Sequence, residues 1–136
     1  MYEEFCMDVK EISLKLDKNE VKAGEIVRGK IHISFKGRFD TIVINSQIED
    51  SSDIFTFIEI DEKKTNYQYA RISILKSELK NSDIEFTVTT NHIPINLSVN
   101  AKFRVSLIQE HKEIASDIAY LSILKKVDHK SCNKSL

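Results

Sequence analysis

Four histidines, His32, His92, His111 and His129, are the first side chains to consider for chemistry. No two of them have the spacing of metal ligands, and no Cys-x-x-Cys pair accompanies them. A zinc or histidine-base site is therefore not expected. A catalytic serine sits on a glycine-flanked elbow with a base and an acid around it. The chain has 3 glycines, and none lies within two residues of a serine. So few glycines also exclude phosphate-cradling Gly-rich loops. The neighbouring carboxylates Asp61 and Glu62 fall in a charged turn and read as solvated groups, not as an acid–base pair. No catalytic residue, metal or cofactor is expected, and the chain does not read as an enzyme.

What remains is binding chemistry. Residues 26–35 alternate, with Val27, Gly29, Ile31, Ile33 and Phe35 on one face and Arg28, Lys30, His32 and Ser34 on the other. With Lys36 and Arg38 following, the candidate binding residues are Arg28, Lys30, His32, Lys36 and Arg38. They suggest a local basic patch for an acidic peptide, a phosphopeptide or a membrane headgroup. The same cations also fit an ordinary solvated strand face. Lys plus Arg number 20 against 21 Asp plus Glu. That balance gives no global basic field, so a nucleic-acid partner is not expected.

The elements that must position these residues are strands. Ile12, Leu14 and Leu16 share one face of residues 9–16. Residues 17–25 carry turn chemistry, including Gly24. Further strands are predicted over residues 41–49, 54–60, 67–75, 84–89, 102–108 and 116–127, separated by polar turns. Strands recurring about every 10 residues, with no long helix between them, are the mark of a sandwich or barrel. One stretch has two readings. Leu107, His111, Ile114, Ile118 and Leu121 would line a helix face, whereas Ile118, Tyr120 and Leu124 fit strand alternation.

The segment from Ile12 to Ile33 resembles the opening of an arrestin-like domain. There a strand ends in Leu-Asp, a short turn follows, then Gly-Glu, and then a glycine inside an alternating strand. Here these are Leu16, Asp17, Gly24, Glu25 and Gly29, with Ala23 where the family often has proline. A weaker match runs from Phe86 past Pro94 to the strand over Phe103–Leu107, similar to the family's aromatic strand, proline crossover and following hairpin. The resemblance implies a fold and a binding style. Gly24, Glu25 and Gly29 would be turn and packing residues, with Glu25 accepting backbone N–H bonds.

The resulting expectation is an all-β, immunoglobulin-like antiparallel β-sandwich of about seven to eight strands, arrestin-like. A single domain is expected over residues 1–127, with a flexible basic tail over 128–136. Its function is expected to be non-enzymatic: an adaptor or scaffold binding a protein or peptide through sheet edges or the basic strand face. The alternative is a self-assembling viral or surface subunit, and a homodimer by edge-strand pairing fits both. An acidic N-terminus, Met1-Tyr-Glu-Glu, and the lack of an apolar run near the roughly 20 residues of a membrane span suggest a cytoplasmic protein. Cys6 and Cys132 are either unrelated thiols or a disulfide joining the two ends.

Overall fold

Residues 12–16 alternate Ile-Ser-Leu-Lys-Leu and form β1 (Ile12–Leu16). The computed structural model describes residues 10–125. The remaining strands are β2 (Glu20–Lys22), β3 (Ile26–Ile33), β4 (Thr41–Ile48), β5 (Thr56–Ile60), β6 (Lys63–Tyr67), β7 (Arg71–Leu75), β8 (Asp83–Thr89), β9 (Ser98–Gln109) and β10 (Lys112–Leu124). A 3-10 turn, Lys76–Glu78, lies between β7 and β8. Val9, Cys6, Cys132 and the tail over 128–136 lie outside the described residues.

The strands make two five-stranded sheets, ordered β1-β3-β8-β5-β6 and β2-β10-β9-β4-β7. They face each other across one core, as the alternation predicts. Phe55, Phe57, Phe86 and Phe103 are fully buried there, with ring centroids 4.7 Å apart for Phe55–Phe103 and 5.9 Å for Phe86–Phe103. Facing apolar surfaces of two sheets remove one another from water, which is the main drive for this architecture.

The sandwich has more strands than expected because β2 and β6 are short, polar and hidden in turn-like sequence. β2 also departs from a wholly antiparallel layout, since it pairs parallel to β10. Residues 17–25 are therefore a crossing between sheets. β1 pairs with β3, the chain leaves that sheet at Asp17, and Val21 is buried in the other. Asp17 makes the exit workable. Its backbone N–H donates to Arg28 O, while its carboxylate accepts the Arg28 N–H at 2.9 Å. The side chain thus stands in for the ladder carbonyl that the departing backbone withdraws.

The return uses Gly24, whose φ of 89° is cheap only for glycine. Glu25 N donates to Lys22 O, and Lys22 N donates to the Glu25 carboxylate at 2.7 Å, closing the turn from both sides. Further along, Gly29 lies in register with Phe86, whose ring covers the glycine.

The ambiguous stretch is a hairpin. Leu107 and Leu121 face the core on β9 and β10, while His111 sits in the tight turn between them with φ 68°. The helix reading fails because β9 and β10 pair along nearly their whole length.

Candidate interaction surface

The structure splits the five predicted binding residues. Arg28, Lys30 and His32 point outward from β3, whereas Lys36 and Arg38 lie in the loop before β4. The strand face carries both signs of charge, with Lys15 on β1 and Lys64 on β6 extending the rows of Lys30 and Arg28 and carboxylates interleaved among them. The Asp83 carboxylate accepts from His32 Nδ1 at 2.6 Å, Glu85 is in register with Lys30, and Glu59 lies beyond Thr87 in the row that begins at Arg28. The neighbouring strands β8 and β5 supply these carboxylates, and no sequence-local pattern announces them. Lys36 instead borders a cleft with Phe35, Phe39 and Lys76, where Lys76 Nζ stands 4.7 Å from the Phe39 ring centre.

A serine, a histidine and an aspartate do meet, at the opposite end of the sandwich from that cleft. Asp53 Oδ2 lies 2.7 Å and Ser51 Oγ 3.4 Å from His92 Nδ1. A catalytic relay needs the acid and the nucleophile on different ring nitrogens. Here both address the same one, so the arrangement does not activate the serine. Its effect is mechanical. His92 N donates to Thr90 Oγ1, and Thr90 Oγ1 donates to Ile54 O, so the start of the β8–β9 loop is tied to the β4–β5 loop.

The far end of the same loop is tied as well. Lys125 N donates to Leu97 O at 2.7 Å, and Lys125 Nζ reaches Ile95 O at 3.4 Å. Pro94 is buried in between. With its base and centre held, the loop turns three aliphatic side chains to water: Ile93 is 66% exposed, Ile95 91% and Leu97 83%. Single exposed apolar residues are ordinary, but three on one braced loop make it the candidate contact surface. Among the described residues, Glu25, Glu49, Asp50 and Asp53 share this end of the molecule with Lys18, Lys22 and Lys125, so both signs of charge surround the loop.

These residues were visible in the sequence as Ile93-Pro94-Ile95-Asn96-Leu97, with aliphatics at alternate positions. Reading them as a crossover hid their exposure. Residues 90–97 do carry the chain from one sheet to the other, but no strand pairs with them.

Two carboxylates elsewhere are set by their partners. Asp117 on β10 is pushed up by burial, but donors from Lys10 Nζ (2.9 Å), Leu14 N (2.8 Å) and Ile118 N outweigh this and hold it below the ordinary aspartate value. Glu113 is lowered chiefly by its hydrogen bonds from Arg104 and Ser106. Both tie strands together. Among the described residues, no group of three or more His, Cys, Asp or Glu could hold a metal ion, and no helix is long and apolar enough to cross a membrane.

No protein-family model matches the chain, and no curated protein matches it in sequence. Solved structures do share its shape. The human F-spondin reeler domain is 15% identical, with 85% of this chain and 93% of that one covered at a TM-score of 0.57. The CFA/I adhesin CfaE of enterotoxigenic E. coli is 9% identical, over 87% of this chain and 49% of that one, at 0.58. A lipoprotein from Bacteroides thetaiotaomicron is 10% identical, over 88% and 84%, at 0.52. The likeness is one of fold. These neighbours are β-sandwich modules, among them an adhesin and a lipoprotein. The expectation of a cytoplasmic protein is corrected by the same finding. It rested on an acidic N-terminus and the lack of a long apolar run, and neither feature distinguishes a cytoplasmic sandwich from the adhesin and lipoprotein sandwiches that this chain matches in shape.

Proposed function

We propose that the protein is a non-enzymatic protein-binding module, an adaptor or scaffold sandwich that grips its partner with the β8–β9 loop. The single observation behind this reading is the outward display of Ile93, Ile95 and Leu97 on a loop braced at both ends. Bracing means that little ordering entropy is lost on binding, so the aliphatic area turns into affinity efficiently. The resemblance of the Ile12–Ile33 segment to arrestin-like domains supports the adaptor role, since such domains work by binding. A second reading, a self-assembling subunit, is favoured by the open edge of β7.

Photo-crosslinking in the native cell tests the loop reading. A crosslinker at position 95 should capture one discrete protein, and the same group at Lys30 on the mixed-charge face should capture none. Capture at position 30 alone would overturn the proposal. Binding to lipid vesicles without a protein crosslink would replace the protein partner with a membrane surface.

A further inference from the structure

The four edges of the two sheets are not equally open. At β1, the outward Leu14 N–H is taken by Asp117 Oδ2 at 2.8 Å. β2 has only three residues. β6 reads Lys-Lys-Thr-Asn-Tyr, and lysines on an edge discourage pairing. β7 reads Arg-Ile-Ser-Ile-Leu, and among the described residues nothing pairs with its outer side.

Its backbone directions follow from its ladder with β4. Ser46 N donates to Ala70 O and Lys76 N to Asp40 O, and both pairs continue the register in which Ile44 faces Ile72 and Ile42 faces Ile74. Bonded and unbonded pairs alternate in an antiparallel ladder. Ile72 and Ile74 therefore bond to β4, and Arg71, Ser73 and Leu75 turn their N–H and C=O groups outward. One of these donors is already occupied, because Leu75 N donates to the Glu78 carboxylate at 3.0 Å.

We infer that β7 is a self-pairing edge, joining two copies of this chain antiparallel about a two-fold axis at Ser73. In that register each Ser73 bonds to Ser73 of the second copy. Arg71 lies opposite Leu75 of the second copy; the Glu78 carboxylate, which holds the Leu75 amide in the single chain, must release it for that pair to close and then turns to the incoming Arg71 guanidinium. The match is thus self-complementary in charge. It is also self-complementary in shape, because Ile72 would face Ile74 across the axis, and Ile74 is only half-buried in the single chain. The groove between β6 and β7, about 160 Å³ and lined by Ile60, Tyr67, Ile72 and Ile74, would be narrowed by the second copy. Because the paired edge is the same strand in both copies, pairing consumes it and stops at the dimer.

Sedimentation equilibrium of the full chain over a wide concentration range tests this, with reductant present so that Cys6 and Cys132 do not cross-link copies. The wild type should show a monomer–dimer equilibrium. Ser73→Pro removes the central outward donor while sparing the bonds to β4, and should weaken dimerisation by more than about tenfold. Arg71→Glu should weaken it too, and the charge swap Arg71→Glu with Glu78→Arg should restore it. A wild type that stays monomeric up to about 1 mM, or a dimer indifferent to both Ser73→Pro and Arg71→Glu, would overturn the inference. Crosslinking at position 95 addresses a different surface, so the loop reading survives or fails separately.

Discussion

Gly29 and Phe86 face each other across β3 and β8, and the phenyl ring lies over the glycine where any Cβ would stand. The ring also packs on Phe57 and Phe103 at the centre of the core, with centroids 5.6 and 5.9 Å away. Gly29→Ala cannot be absorbed without moving this cluster. The expected loss is about 1–3 kcal/mol in denaturant unfolding. Gly29→Ala combined with Phe86→Leu should be less than additive, because the smaller side chain gives way.

The acid limb of stability should involve Asp117. Its folded-state pKa is depressed, so it binds fewer protons folded than unfolded. Its contribution is complete above the ordinary aspartate value of about 4 and fades as the pH falls through the lower folded value. Asp117→Asn should flatten the fall in stability below about pH 4. Asp117→Ala leaves the Leu14 N–H without its acceptor, and a loss of about 1–3 kcal/mol at neutral pH is expected. Thermal melts across pH 2–7 read both effects.

Ile93, Ile95 and Leu97 lie outside the core, and on the proposed function they serve partner contact. Replacing all three with serine should change stability by no more than about 0.5 kcal/mol per site while abolishing the position-95 crosslink. His92→Ala should leave the melting point nearly unchanged but speed hydrogen exchange in residues 90–97, because the bond to Asp53 at 2.7 Å is lost.

The two tightest hairpins use unusual residues. Asp61-Glu62 and Glu110-His111 all have positive φ, from 51° to 70°. Such two-residue turns favour Asn-Gly or Asp-Gly. Glu62→Gly and His111→Gly should therefore each stabilise the fold, by roughly 1 kcal/mol on chemical denaturation.

The same turns show why part of the architecture escaped the sequence. Alternation in Ile12–Leu16, Ile26–Ile33 and Phe103–Leu107 determined the strands and the sandwich, because side-chain direction in a strand has period two whatever its partner. Gly24 marked its turn, since positive φ there favours glycine. By contrast, β2 and β6 have few apolar residues to reveal them, and the hairpin tips lack glycine. Strand status in these places comes from the neighbouring backbone that each segment meets.

The binding surface divides in the same way. Composition and spacing argued against catalytic and metal chemistry, because those sites need recognisable residue types at set intervals. Only the tertiary structure decided where the charges lie. Asp83, Glu85 and Glu59 are distant from Arg28, Lys30 and His32 in the chain, yet they interleave with them on one face. Exposure of Ile93, Ile95 and Leu97 was likewise decided by what the loop fails to pair with. Local periodicity is a property of the chain, whereas charge balance and solvent contact are set by strands that meet only when the sheets form.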